Sequence, residues 1–235
     1  MLQNLRPHVF VLRQLTLLFS DALIDGHPGV LSAAAASDLP LEGRPASQQA
    51  FEIEDRGYED PDLRPALEVR VASPSYFETI GVGLLSGRTF TNLDDEVARG
   101  VAIISRSLAE RHWPDSDPIE RRVTLNGGRD WLTIVGVVGD VRHNGLDRDP
   151  PDVLYRSFLQ VGGATRILVR TRLDPLALAT EVRAAVHEVD AEQPVERFST
   201  LEQARTDTLA TRQLTVILLA VFRSEEHTSE LQSQA

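Results

Sequence analysis

The chain has no cysteine, which excludes thiol nucleophiles, disulfides and thiolate-bound zinc. Lysine is missing as well: all 24 basic residues are arginine. That removes the phosphate-gripping lysine of a P-loop, Schiff-base chemistry and any Ser-Lys dyad, and with them ATP hydrolysis on this chain. Positive charge is scarce overall. The net charge is -11 and no basic stripe runs along the sequence, so nucleic acid is excluded as a partner, because phosphate binding needs a concentrated positive face. Nor is there a full membrane span: the apolar run Leu214 to Phe222 has nine residues, against the roughly 20 that a bilayer-crossing helix needs. What is present is a 235-residue chain with 42% hydrophobic residues, enough to bury the core of one large domain or two small ones.

The N-terminal segment reads as an amphipathic helix. Leu12, Leu15, Phe19, Ala22 and Leu23 recur at helical spacing, with Arg13, Gln14, Ser20, Asp21 and Asp25 on the other face, and Gly26 and Pro28 stop it. Arg13 breaks the apolar run and no small-residue cleavage site follows, so neither a signal peptide nor a span is supported. Val30 to Ser37 is expected to be a strand, and the polar stretch Leu39 to Pro65 a loop or irregular hairpin.

Leu67 to Ala72 reads as a strand, after which Ser73-Pro74 is expected to open a helix as cap and first-turn proline, with Gly81 closing it. Val101 to Ile104 is a second strand, and Ser105 caps a helix that Pro114 ends. Trp131 to Val138 is the strongest buried-strand signal, with Val153 to Phe158 and Ile167 to Thr171 as two more. Asp174-Pro175 then opens a helix with Leu176, Ala179, Val182, Val186 and Val189 on one face. The strand-then-helix rhythm at 67–80, 101–113 and 167–189 argues for mixed α and β layers.

Ser199-Thr200-Leu201-Glu202 has the form of a capping box in which Ser199 and Glu202 each satisfy a donor of the first turn. From Thr200 to Phe222 there is neither glycine nor proline, and the composition turns from polar to apolar, as in the first half of a transmembrane helix. Beyond Phe222 the string Arg223-Ser224-Glu225-Glu226-His227-Thr228-Ser229-Glu230-Leu231-Gln232-Ser233 is polar and charged. It resembles a translated sequencing-library adapter, so residues 223–235 are set aside from fold reasoning.

Several motifs stand in a fixed order. They are His27-Pro28-Gly29-Val30; Val71-Ala72-Ser73-Pro74-Ser75-Tyr76-Phe77-Glu78-Thr79-Ile80-Gly81; Ser86-Gly87-Arg88-Thr89-Phe90 with Asp94-Asp95; Val101 to Ser105; Trp113-Pro114; Asp117-Pro118-Ile119; and Thr133 to Val141. As an ordered set, from Gln14 to Phe222, they resemble the MacB-like periplasmic core domain of FtsX-like ABC-transporter permeases. Two positions depart from that pattern: Glu120 stands where glycine is usual, and Arg156 where proline is common. Members of the family carry a transmembrane helix before this domain, so the reading frame is expected to start late as well as to end early.

The resemblance implies an α+β fold: porter-like βα units from both chain ends, residues 1–90 and 161–205, with a smaller strand-rich insertion at 91–160 and the start of a severed membrane helix at 206–222. It implies an inner-membrane permease whose domain lies on the extracytoplasmic side and works mechanically, without a cofactor. The partners implied are a cytoplasmic ABC ATPase on another chain, a second permease copy or pseudo-equivalent half, and in some cases a periplasmic adaptor. A soluble binding or scaffold module and a small α/β hydrolase are the competing readings.

No residue is nominated as catalytic, cofactor-binding or metal-ligating. Gly81, Gly87, Gly136 and Gly139 read as positions of positive φ or tight packing. Gly136 to Asp140 lacks the following helix that would hold a phosphate. Tyr76, Phe77, Trp113 and Trp131 read as core anchors. His112, His143 and His187 are too dispersed for a metal site. Asp94 with Asp95, and Asp147 with Asp149, read as solvated loop acids, and no Gly-x-Ser-x-Gly elbow occurs.

Overall fold

The structure is a computed structural model that describes residues 8–13, 28–40, 48–58, 60, 64–143, 149–163, 166–174, 178, 180, 183–184, 199–203 and 206. The strands among these are β1 (His8–Arg13), β2 (Val30–Ala36), β3 (Gln48–Ala50), β4 (Glu52–Ile53), β5 (Ala66–Ala72), β6 (Leu84–Gly87), β7 (Val101–Ser105), β8 (Arg122–Thr124), β9 (Leu132–Val138), β10 (Val153–Ser157), β11 (Arg166–Thr171) and β12 (Ser199–Thr200). Short helices with defined bounds among the described residues are α1 (Tyr76–Ile80), α2 (Arg106–His112) and α3 (Phe158–Val161).

All twelve strands join one mixed sheet in the order β12-β1-β11-β2-β5-β10-β7-β9-β8-β4, with β3 also beside β5 and β6 beside β9. The centre is a parallel β5/β10 pair and a parallel β7/β9 pair set antiparallel to each other. Every residue of β7 and β9 is buried, because the sheet is covered on both faces here, and the sequence meets that with largely apolar, β-branched runs in which Ser105 and Thr133 are the buried polar residues. On one face α1 lays Tyr76 and Phe77 over Ala34, Ala36, Val101, Ile103, Val153, Tyr155 and Leu168. On the other, α2 brings Leu108 against Ala102, Ile104, Ile134 and Leu154. Each such large side chain contributes about 1.5–3 kcal/mol on full burial. The fold is α+β, as expected, and residues 91–160 supply β7 to β10 to the same sheet that holds β1, β2, β11 and β12.

The strands expected at 30–37, 67–72, 101–104, 131–138, 153–158 and 167–171 form within a residue or two of those bounds. Ser105 caps α2, its Oγ accepting from Leu108 N–H, and Gly81 ends α1 at a φ of 76°. After β11, Leu178 N–H donates to the Asp174 carbonyl at 3.3 Å, and residues 178, 180, 183 and 184 are helical. The apolar face assigned to Leu176, Ala179, Val182, Val186 and Val189 lies outside the described residues.

Three expectations need correction. The helix expected from Leu12 does not start there, because Leu12 and Arg13 close β1, antiparallel to Ile167 and Arg166. The rest of that helix lies outside the described residues. Ser73 does not cap α1: the N-cap position belongs to Ser75, without a side-chain bond, and Ser73 Oγ instead accepts from Ala35 N–H at 2.9 Å. The capping box is also one residue later than expected. Ser199 and Thr200 form β12, and the reciprocal pair is Thr200 with Gln203: Thr200 N–H donates to Gln203 Oε1 at 2.9 Å and Gln203 N–H to Thr200 Oγ1 at 3.0 Å. The helix opens at Leu201; the apolar stretch 214–222 and the tail 223–235 lie outside the described residues. Among the described residues no helix is long and apolar enough to cross a membrane.

Candidate functional site

β1 and β12 pair antiparallel at one border of the sheet, with Phe10 opposite Thr200 and Val11 opposite Ser199. Antiparallel pairing sets the entry of β1 beside the exit of β12 at one corner of the domain, with Phe10 and Thr200 one strand spacing, about 5 Å, apart. The corner is tied inward. β1 also pairs with β11 along its whole length, Thr171 Oγ1 at the end of β11 donates to the Gly29 carbonyl at 2.8 Å, and Leu201 packs on the core cluster together with Ile80 and Val82 of the α1 region. The helix that opens with the Thr200–Gln203 box therefore starts in contact with the core. Sequence reasoning could not find this corner, since β1 was hidden by a competing helical pattern and strand partners carry no local signature.

A second feature is a polar cluster inside the α1 face. Glu68 and Arg70 of β5 are almost fully buried, with Arg70 Nη2 donating to Glu68 Oε2 at 2.6 Å and Arg70 Nη1 lying 3.4 Å from Asp38 Oδ2. Tyr155, opposite Arg70 across β5 and β10, shares a hydrogen bond of 3.1 Å between its hydroxyl and His143 Nε2. Its ring meets Phe77 edge to face at 5.0 Å. Burial, reinforced by the Arg70 charge, pushes the His143 imidazole down to about 3, and burial raises the hydroxyls of Tyr76 and Tyr155. These groups are thus locked in their neutral forms around one embedded ion pair. Arg70 bonds to Glu68, and Tyr155 to His143, within the buried core, so the arrangement braces the core.

The remaining sequence candidates are dispersed. His112 is on the opposite face of the sheet from His143, edge to face with Phe51 at 5.2 Å, and burial lowers its pKa; His187 lies outside the described residues. No group of three metal-capable side chains occurs among the described residues. Trp113 is buried in the core under the Arg56 guanidinium at 5.7 Å, as expected, whereas Trp131 is half-buried beneath that of Arg122 at 5.8 Å, outside both core clusters, and is not a core anchor. The Gly136 to Asp140 turn does meet a helix start, but that of α2, and fills it with its own carboxylate: Ser107 N–H donates to Asp140 Oδ1 at 2.9 Å. That carboxylate stands where a bound phosphate would.

Asp94 was expected to be solvated and is not. It is 4% exposed and accepts both Arg88 Nη1 and Nη2, at 2.7 and 2.8 Å, together with the Thr91 N–H at 2.8 Å. Burial alone would raise its carboxyl, but these hydrogen bonds outweigh that and hold it below the usual carboxylate range. The bidentate pair explains why arginine and aspartate recur together in the Gly-Arg-x-Phe…Asp pattern. It also fixes the turn from Thr91 to Ala98, which carries Leu93 and Val97 in the open. Asp149 is exposed and Asp147 lies outside the described residues.

The sequence pattern of one family, described as MacB-like periplasmic core domain, matches residues 17–189. Among solved structures, the periplasmic region of MacB from Actinobacillus actinomycetemcomitans is similar at 13% identity and a TM-score of 0.56, over 85% of this chain and 92% of that one. A domain of a protein described as a permease from Porphyromonas gingivalis is similar at 20% identity and a TM-score of 0.51, over 83% of this chain and 88% of that one. No curated protein shows significant sequence similarity to the chain.

Proposed function

Since this chain belongs to the MacB-like periplasmic core domain family, found in ABC-transporter permeases, we propose that it is the extracytoplasmic head of such a permease and that its work is mechanical. The supporting observation is the corner formed by β1 and β12, where both flanking segments leave side by side. A domain inserted between two neighbouring membrane helices needs its ends together, and an edge pair of antiparallel strands supplies that.

In this reading a cytoplasmic ATPase on a separate chain closes a permease dimer in the inner membrane, and the movement travels up the paired flanks into the head. The Thr200–Gln203 box starts the exit helix without slack, and Leu201 passes its displacement to the core beside Ile80 and Val82. The head then changes how it meets its counterpart, a cargo or an adaptor outside the membrane.

The test is made in a full-length permease with its ATPase. Inserting Gly-Pro after Ala210 would break the helix that the sequence predicts to run on from Thr200, and it is expected to leave ATP hydrolysis intact while abolishing transport. Transport at the original rate would overturn the reading.

A further inference from the structure

The sheet is continuous but unevenly joined. β10 pairs with β5 from Glu68 to Ala72, and β2 with β11 from Thr171 to Arg166. β2 and β5, by contrast, meet at a single pair, Ala36 opposite Ala72. Past that pair β2 runs on beyond the end of β5, while the remaining edge of β5 is taken by β3.

Two serines close the junction reciprocally. Ser37 N–H donates to the Val71 carbonyl at 3.0 Å, and Ser73 N–H to the Ala35 carbonyl at 2.9 Å. The return bonds, which in a longer ladder would go to the backbone carbonyls of residues 37 and 73, go instead to side chains: Val71 N–H donates to Ser37 Oγ at 3.1 Å and Ala35 N–H to Ser73 Oγ at 2.9 Å. A third hydroxyl contact joins α1 to β2, with Thr79 Oγ1 donating to Ser32 Oγ at 3.1 Å. A hydroxyl rotates about χ1 and offers two lone pairs, so it follows its donor through a change of angle that would break a bond to a fixed carbonyl.

The surfaces beside the junction are smooth. β2 reads Ala33-Ala34-Ala35-Ala36, buried throughout, and α1 rests on Ala34 and Ala36. Alanine has no atoms past Cβ to interlock with a neighbour, and it is among the poorer strand formers.

We propose that the Ala36–Ala72 pair is a hinge, about which β12, β1, β11 and β2 turn as one body against β5 and the strands beyond it. The turning body is the one that holds the entry of β1 and the exit of β12, and Ser37 and Ser73 hold its resting angle. This follows from the register and the hydrogen bonds and stands whether or not the chain serves a transporter.

The test uses this chain, whose lack of cysteine allows spin labels at chosen sites. Labels at Arg172→Cys and Arg129→Cys, both exposed, lie in different bodies; labels at Glu110→Cys and Arg129→Cys lie in the same one. Pulsed electron resonance should give a distance distribution about twice as broad for the first pair as for the second. Ser37→Ala with Ser73→Ala should broaden the first further and leave the second unchanged. Amide exchange at Ala35 and Val71 should rise about ten- to a hundredfold in that variant as their donors lose partners, with Leu154 and Ile134 unaffected. Equal widths for the two pairs in the native chain would overturn the hinge, and that comparison decides even if the double variant does not fold. Exchange that quickens equally across the whole sheet would overturn it too.

Discussion

Gly87 and Gly136 face each other across β6 and β9, and neither has room for a side chain. A Cβ on Gly87 would stand 2.2 Å from the Val135 carbonyl oxygen, and one on Gly136 would stand 2.1 Å from that of Arg88. Both obstacles are backbone, which cannot swing aside. This approach lets the end of β6 lie flat on β9 and sets Arg88 where it reaches Asp94.

Gly136→Ala should therefore destabilise by about 3 kcal/mol or prevent folding, the upper range for overpacking a core site. Gly139, three residues on, was expected to need positive φ or tight packing and has neither: its Cβ would meet nothing nearer than 3.6 Å, so Gly139→Ala is the internal control and should cost less than about 1 kcal/mol. Urea unfolding of the two variants measures the contrast, and equal losses would contradict the packing argument.

Glu120 occupies a φ of 64°, in the left-handed region that favours glycine, and it stands where the family usually has glycine. The turn after Asp117-Pro118-Ile119 has kept its glycine geometry while losing the glycine. Relief of the Cβ strain outweighs the added freedom of the unfolded chain. The exposed Arg99–Glu120 contact at 3.2 Å is worth little in water. Glu120→Gly should thus stabilise by about 0.5–1 kcal/mol, read as a higher urea midpoint with an unchanged slope.

What could be read from the sequence follows a physical divide. β7 and β9 were plain because a strand covered on both faces favours apolar residues throughout, and Val101 to Ile104 and Leu132 to Val138 are apolar but for Thr133 and Gly136. Gly81 and Ser105 were plain because left-handed backbone and a free first-turn donor each call for one residue type. β1 was not, because Leu12 fits both a strand and the helical spacing that continues through Leu15 and Phe19. Ser199-x-x-Glu202 and Thr200-x-x-Gln203 meet the same capping pattern one residue apart, and only the pairing of β12 with β1, a contact across most of the chain, selects the second. Asp94 looked like an ordinary loop acid, since its burial depends on Arg88 arriving from another strand end. The corner where β1 enters and β12 leaves is wholly long-range and left no local trace.

His143 gives the domain a pH dependence with a defined sign. Its folded pKa of about 3 lies below the usual histidine value near 6.5, so between these values the unfolded chain binds a proton that the folded one does not. Stability is full above about 6.5 and falls by about 1.4 kcal/mol for each pH unit below it, down to about pH 3. Asp94, held low by Arg88 and Thr91, adds an acid loss only below about pH 4. His143→Phe should flatten the stability profile between pH 6 and 4. At pH 7 it should cost about 1 kcal/mol through the lost Tyr155 bond. A profile as steep as that of the native chain would place the titrating group elsewhere.

The one-residue shift of the capping box has its own test. Thr200 Oγ1 takes the Gln203 N–H while Gln203 Oε1 takes the Thr200 N–H, so Thr200→Ala removes a cap and should cost about 1 kcal/mol. Ser199 spends its backbone on β12 opposite Val11, and Ser199→Ala should be close to neutral. Because the helix begins at the corner that holds β1, the lost cap frees its first turn from the sheet. Amide exchange at Gln203 should then quicken about fivefold in Thr200→Ala and stay unchanged in Ser199→Ala. The reverse order would mean that Ser199 and Glu202 form the box after all, and that the exit helix starts one residue earlier, inside the strand pair that fixes the corner.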